Sequence, residues 1–136
     1  SIFDKQGNNL FYDDKDDFHL SKLAYGFIAG QLAHARSLAA IVAPTVNSYK
    51  RMGVGAPSSG ATWAPAYASY GANNRTQMLR IPEGNRVEHR GTDGSANPYL
   101  ALTAVLARAA EAGILDLETR PPSLEEMFLR YYDRQP

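Results

Sequence analysis

The sequence predicts an α+β fold in which an antiparallel sheet packs one face against two long helices. Apolar residues recur at helical spacing at about 19–42 and again from Pro98 to about Ala112, which predicts the two helices. Between them, residues 76–81 and 86–90 form two candidate strands joined by a tight turn, which predicts a hairpin. The 136 residues, 44% apolar and 21% charged, fit one domain or part of one.

The first half of the chain holds a turn, a helix and a loop. Residues 1–18 predict an extended start with a turn at 4–9, where Asp, Gly and Asn favour tight turns. The first long helix follows, and Pro44 ends it. Residues 53–60 contain three glycines and a proline. This composition indicates a loop, either a lid or a plain connector.

The second half of the chain holds the candidate sheet and the second helix. Residues 61–70 are predicted to be extended, because Pro65 would break a helix. The hairpin follows. Asn97 then stands just before Pro98, which predicts a capping side chain followed by a proline in the first helical position.

The charges are balanced overall but not evenly placed. Formal net charge is zero, so bulk electrostatics do not indicate a nucleic-acid or membrane binder. Arg86, Glu88 and Arg90 alternate, so a strand would point all three to one face. Guanidinium groups bind phosphate and carboxylate oxygens, and a glutamate supplies a hard metal ligand. The pattern therefore suits an anion-and-metal site, and the alternative is a solvated strand with a cross-strand ion-pair ladder.

Cysteine and membrane signals are both missing from the sequence. Without cysteine, neither a disulfide framework nor a thiolate metal site can form, and a reducing, cytoplasmic setting is allowed. No apolar run approaches the ~20 residues of a membrane span. We therefore expect a protein with no membrane partner.

Five short motifs in one order and at one spacing resemble the C-terminal half of a glutamine synthetase catalytic domain. They are Asn-Ser-Tyr-Lys-Arg at 47–51, Asn-Arg at 74–75, Arg-Ile-Pro at 80–82, Arg-Val-Glu-His-Arg at 86–90 and Ala-Asn-Pro-Tyr-Leu at 96–100. The sequence at 59–65 and 73–76 is similar to the corresponding sequences of the branch that contains gamma-glutamylmethylamide synthetases and related type III-labelled enzymes. The resemblance covers residues 1–114, and 115–136 is expected to be an unrelated tail with a short helix, similar to the C-terminus of an ABC-transporter ATPase subunit.

The resemblance implies an ATP-dependent ligase that joins glutamate to ammonia or a small alkylamine through gamma-glutamyl phosphate. Arg51 would hold the glutamate carboxylate. Arg90 would stabilise that carboxylate and the charge that develops at the phosphoryl group, and Arg90 and Arg75 would be catalytic. The intact enzyme would be a homo-oligomer.

The resemblance also implies which residues bind the nucleotide and the metal ion. Arg75, Arg80 and Arg86 would bind the nucleotide, the first two through the ATP phosphates and the third on the nucleotide side. Glu88 would bind one divalent ion, Mg²⁺ or Mn²⁺.

Three departures from the family pattern modify these expectations. Ser1 resembles the serine that ends a metal-binding His-x-His-x-Ser strand, so half of the site is expected to be missing and the chain is expected to be inactive alone. Gly55 stands before Ala-Pro, where common bacterial synthetases carry a glutamate, which puts ammonia as the acceptor in doubt. His89 replaces an apolar residue and is expected to face the opposite side of the strand.

Two other function classes remain open from the residues. The basic hairpin, with Trp63, Tyr67 and Tyr70 as stacking platforms, could bind RNA or an acidic partner. Nucleic-acid binding is the weaker hypothesis, because Glu88 lies in the middle of the arginine row and the overall charge is neutral. The chain could also be an inactive remnant.

Overall fold

In chain order, three helices precede a small sheet and a fourth helix follows it. The computed structural model describes residues 1–52, 63–82 and 85–111, with side chains through Ala107. Within these ranges the helices are α1 (Lys22–Ala33), α2 (Ala35–Val42), α3 (Val46–Met52) and α4 (Pro98–Glu111), and the strands are β1 (Tyr70–Ala72), β2 (Leu79–Ile81) and β3 (Glu88–His89).

The first long helix is two helices and not one. The hydroxyl oxygen of Ser21 caps α1 by accepting a hydrogen bond from the Ala24 amide at 3.3 Å. His34, with φ −107° and ψ 14°, leaves helical geometry and separates α1 from α2. Both segments nevertheless contact α4. The expectation of one continuous helix over 19–42 is therefore wrong, because helical periodicity continues through a bend that alters only one residue's backbone angles.

The sheet has the order β1-β2-β3 and mixed strand directions. Strands β2 and β3 are antiparallel with Arg80 opposite Glu88, which confirms the predicted hairpin. Strand β1 pairs with β2 in parallel, with Tyr70 opposite Leu79, so the expectation of a purely antiparallel sheet is wrong. The side chain of Asn74 accepts a hydrogen bond from the Thr76 amide at 2.9 Å and folds the connection 73–78. This connection does not reverse the chain as a hairpin turn would.

The hydrophobic core joins α1 to β2. Leu79 and Ile81 are buried on one face of β2, while Arg80 between them points to the other face, as strand alternation requires. Burying a leucine side chain of this kind stabilises a fold by about 1.5–3 kcal/mol. The cluster that surrounds these two strand residues consists of Phe11, Leu20, Ala24, Ile28 and Met78.

Helices α4 and α3 each begin at a side-chain cap. In α4, the Asn97 side chain accepts hydrogen bonds from the Tyr99 and Leu100 amides at 3.0 and 3.2 Å, which confirms the predicted cap. Helix α3 was not predicted. The Thr45 hydroxyl accepts a hydrogen bond from the Ser48 amide at 3.3 Å and caps this helix, which carries Arg51 in its last turn.

Several sequence predictions concern segments outside the described residues. These are the loop at 53–60 with Gly55, the turn residues Glu83 and Gly84, and the tail. Across the portion of the chain that the structure describes, no helix is both long enough and apolar enough to cross a membrane.

Candidate active site

Glu88 lies between two arginines on the polar face of the hairpin. The pairing of β2 with β3 places Arg80 opposite Glu88, and Arg80 Nη1 lies 2.7 Å from Glu88 Oε2. Arg90 comes two positions after Glu88, and its Nη1 lies 3.1 Å from Glu88 Oε1. Each carboxylate oxygen therefore accepts a charge-assisted hydrogen bond from a different guanidinium group.

The two guanidinium groups are also held by neutral oxygens. Asn73 Oδ1 accepts hydrogen bonds from Nε of Arg80 at 3.1 Å and from its Nη2. The carbonyl oxygens of Arg75 and Trp63 accept from Nε and Nη2 of Arg90 at 2.9 and 3.3 Å. A guanidinium group has five N–H donors. Three on each arginine are used among the described residues, so two on each can bind an anion.

The environment keeps Glu88 ionised. Burial acts to raise the pKa of Glu88, but the hydrogen bonds and positive charges of Arg80 and Arg90 outweigh it and lower the pKa below its usual value. The Glu88 side chain is 39% exposed, against 17% for Arg80 and 21% for Arg90. The carboxylate is thus a charged oxygen ligand that solvent, or an ion, can reach.

Glu88 fits a divalent metal ion as one ligand of a larger set. Ionised carboxylate oxygens are the ligands that Mg²⁺ and Mn²⁺ prefer, and each oxygen keeps a lone pair after accepting one hydrogen bond. Within the described ranges, however, no group of three or more His, Asp or Glu residues could hold a metal ion. The remaining ligands of such an ion would be water, substrate oxygens or residues outside these ranges.

Arg51 lies beside the cluster and contacts backbone. Its Nη1 donates to the Arg90 carbonyl oxygen at 3.4 Å, and its Nη2 donates to the Thr92 carbonyl oxygen at 3.3 Å. Asp93 follows in the same loop. Hydrogen bonds from the Ser95 amide and hydroxyl, and the nearby Arg51 charge, lower the pKa of Asp93. These contacts tie helix α3 to the loop that follows β3.

Two predicted residues stand apart from the Glu88 cluster. Arg75 is exposed, and its carbonyl group, not its guanidinium group, is what contacts Arg90. Arg86 is exposed before β3 and is not an ion-pair partner of Glu88 among the described residues. Its charge acts on the backbone nitrogen of Ser1, so Arg86 lies near Ser1. Of the three residues expected on one face, Glu88 and Arg90 form an ion pair, and the part played by Arg86 stays a prediction.

His89 faces away from Glu88 and Arg90, as strand alternation predicts. It lines an apolar cavity of about 260 Å³ together with residues of α2 and with Tyr49, Tyr67 and Met78. Burial lowers the pKa of His89. Its Nδ1 lies 3.0 Å from the Thr92 hydroxyl oxygen, and its buried Nε2 has no hydrogen-bond partner within the described part of the chain.

Sequence reasoning missed the neutral groups that hold the arginines. The sequence analysis assigns Asn73 no role at the site, although an amide two residues before Arg75 in a basic stretch is a candidate guanidinium acceptor. The carbonyl groups of Trp63, Arg75 and Thr92 carry no sequence signal, because every residue has a carbonyl group.

The amino-acid sequence matches the model of one known protein family. The family model described as glutamine synthetase, catalytic domain, matches residues 1–132, and the chain belongs to this family. The resemblance identified from the five motifs is thereby confirmed. The match extends into residues 115–132, which the sequence analysis assigns to an unrelated tail. The division of the chain into a catalytic-domain part at 1–114 and a tail at 115–136 therefore stays a prediction.

Individual relatives give the same result. Glutamate–methylamine ligase of Methyloversatilis universalis is 49% identical over 125 residues, which cover 90% of this chain and 28% of that protein. Glutamine synthetase of Rhizobium meliloti is 45% identical over 115 residues, which cover 84% of this chain and 26% of that protein. Both relatives are carbon–nitrogen ligases.

A solved structure also matches. A GmaS–ADP complex has a TM-score of 0.70 and 41% sequence identity, and the match covers 96% of this chain and 30% of that chain. The chain therefore spans between a quarter and a third of the length of the relatives it matches. The α+β fold of a partial glutamine synthetase catalytic domain is confirmed.

Proposed function

We propose that this chain carries the phosphate-binding part of an ATP-dependent ligase that joins glutamate to ammonia or a small alkylamine through gamma-glutamyl phosphate. The observation that carries the proposal is Glu88 held between Arg80 and Arg90, each with two N–H donors left for an anion. Transfer of a phosphoryl group to a carboxylate brings several negative charges together. Positioned cations are the main means of lowering that barrier.

The contacts support a division of roles among the arginines. Arg80 and Arg90 bind phosphate oxygens, and Arg90 also stabilises the transferring phosphoryl group. Arg51 binds the glutamate carboxylate with the N–H donors that the loop carbonyls do not use. Arg75 contributes its carbonyl to Arg90 and its exposed guanidinium group to the nucleotide phosphates, and the exposed Arg86 adds positive charge on the nucleotide side.

The metal ion is proposed to share Glu88 with the arginines. Glu88 would hold one Mg²⁺ or Mn²⁺, which when bound would neutralise phosphate charge and polarise the transferring phosphoryl group. The chain's own contribution is to keep this carboxylate ionised and oriented by Arg80 and Arg90. Binding of ADP by a related GmaS supports a nucleotide at this site.

The rest of the ligase chemistry depends on groups beyond the described ranges. We propose that the 136-residue chain binds nucleotide but does not turn over alone, because its described residues contain no group of three or more His, Asp or Glu side chains that could hold a metal ion. Turnover by the purified chain would contradict this. We also propose that the intact enzyme is a homo-oligomer and is located in the cytoplasm. Family membership favours the ligase over the RNA-binding alternative.

A titration of the purified chain with Mg·ATP tests the proposal. Trp63 is the chain's single tryptophan, and its carbonyl oxygen contacts Arg90, so its fluorescence reports on the site. Hydrogen bonds to charged groups contribute about 1.5–3 kcal/mol, so R80Q and R90Q should each weaken Mg·ATP binding about 10- to 100-fold.

The matched control is R36Q, which removes an exposed arginine on α2 and should leave the affinity unchanged. Circular dichroism verifies that each variant is folded. Wild-type affinity in folded R80Q and R90Q, or no Mg·ATP binding by the folded wild-type chain, would overturn the proposal.

A further inference from the structure

His89 is packed tightly against the loop that follows its own strand. A Cβ atom at Gly91 would lie 3.1 Å from His89 Cε1, closer than ordinary van der Waals contact, so the ring is packed closely against the backbone of Gly91. In this position His89 Nδ1 lies 3.0 Å from Thr92 Oγ1. An apolar side chain at position 89 would fill similar space but could not make this hydrogen bond.

The same loop supplies the contacts that orient Arg51. The carbonyl oxygens of Arg90 and Thr92 accept from the two terminal nitrogens of Arg51 at 3.4 and 3.3 Å. Both distances are beyond the usual 2.7–3.2 Å range for N–H···O bonds, so a small displacement of the loop would break them. Strand pairing fixes the Arg90 end, since the Arg90 amide donates to the Met78 carbonyl oxygen at 2.8 Å.

The Thr92 end of the loop has a different support. Thr92 lies beyond β3, where the ladder of strand hydrogen bonds has ended. Its hydroxyl contact with His89 joins it back to the strand. The Asp93 amide, which shares a peptide unit with the Thr92 carbonyl group, donates to the Val42 carbonyl oxygen at 2.8 Å. The His89 ring and this backbone bond together set where the Thr92 carbonyl oxygen lies.

We propose that His89 is a positioning residue for glutamate binding: through Thr92 and the close approach at Gly91, it helps to set the Thr92 carbonyl oxygen, one of the two that orient Arg51. The inference rests on the proposed role of Arg51 as the glutamate ligand. His89 lies on the opposite face from Glu88 and Arg90 and does not contact the phosphate-binding groups. Its loss should therefore affect glutamate and not the nucleotide.

The test compares four variants of the full chain by Trp63 fluorescence, with glutamate and Mg·ATP titrated separately. H89L and T92V each remove one partner of the hydrogen bond, and each should weaken glutamate binding about two- to tenfold while Mg·ATP binding is retained. T92S keeps the hydroxyl group and H89N keeps a polar atom near the Nδ1 position, so both should restore most of the affinity. T103V, an exposed Thr→Val change on α4, is the matched control.

A double variant shows whether the two residues act together. H89L/T92V should bind glutamate no more weakly than either single variant, because one hydrogen bond is lost in all three. Losses that multiply in the double variant, unaltered glutamate binding in both single variants, or an equal loss of Mg·ATP binding would overturn the proposal.

A ligand-free measurement separates this inference from the proposed function. The ¹⁵N NMR signals of the Arg51 side chain should shift in T92V and H89L and return toward the wild-type position in T92S. If the wild-type chain binds neither glutamate nor Mg·ATP, the proposed function fails, and the NMR comparison still tests the positioning of Arg51. Arg51 signals that are the same in all of these variants would overturn the inference.

Discussion

Replacing Glu88 with glutamine removes the negative charge that the two arginines share and keeps the shape of the side chain. Two effects of opposite sign should follow. The fold should lose stability at neutral pH, because Arg80 and Arg90 lose charge-assisted hydrogen bonds. Binding of ATP without a divalent ion should tighten, because the two guanidinium groups are no longer neutralised, while the gain in ATP affinity on adding Mg²⁺ should shrink.

The expected size of the stability loss comes from the two ion pairs. In water, unit charges at N–O distances of 2.7 and 3.1 Å attract by about 1.5 and 1.3 kcal/mol. Because Glu88 is 39% exposed, solvent screening and side-chain entropy reduce each pair to about 0.5–1 kcal/mol. E88Q should therefore lower the free energy of unfolding by about 1–2 kcal/mol at pH 7.

The pH dependence provides a sharper test. The folded-state pKa of Glu88 is lowered, so its stabilisation is present above the unfolded pKa of about 4.3 and is lost as pH falls through the folded pKa. Urea unfolding of wild type and E88Q, followed at Trp63, should differ at pH 7 and converge in acid. D14N, which neutralises an exposed carboxylate near the N-terminus, is the matched control. Equal unfolding midpoints at pH 7 with equal urea slopes would refute the reasoning.

Three further predictions concern the fold that supports the site. L79A should lower the free energy of unfolding by about 2–5 kcal/mol in urea titrations, because Leu79 is fully buried in the core of β2. N97A should cost about 1 kcal/mol, and N97D should recover most of it, because the residue caps α4. Burial and a hydrogen bond to Asp16 raise the pKa of Tyr25 to about 12, so wild-type stability should fall from about pH 10 upward. Y25F should lack that component, and an unchanged alkaline profile would contradict the assignment.

The central hairpin shows how much of the structure the sequence alone predicts. Leu79 and Ile81 are buried in the predicted strand and Arg80 between them faces the other way, as the alternation of side chains along a strand requires. The same rule places Glu88 and Arg90 on one side, because side chains two apart on a strand share a face. Arg86 lies two residues before β3 and is not an ion-pair partner of Glu88 among the described residues, so the same spacing did not bring it into the cluster.

The elements that were missed depend on contacts distant in sequence. Whether β1 runs parallel or antiparallel to β2 depends on how the connection 73–78 folds, and the turn residues there are compatible with either direction. The break at His34 separates two helices that both contact α4, and the apolar spacing continues across it. Helix α3 is short, and its cap, Thr45, follows a proline that was read only as a stop.

The sequence by itself determined the family, the hairpin, the cap of α4 and the set of charged residues, because each depends on residue type at a fixed spacing along the chain. The tertiary structure decided which of those charges meet. Glu88 is paired with Arg80 across the sheet and with Arg90 along its own strand, while Arg51 is turned toward the carbonyl oxygens of a loop. The physical reason is that a guanidinium group donates hydrogen bonds to the oxygens that the fold brings close to it. Backbone carbonyl oxygens belong to every residue, so the sequence does not indicate which of them will be close.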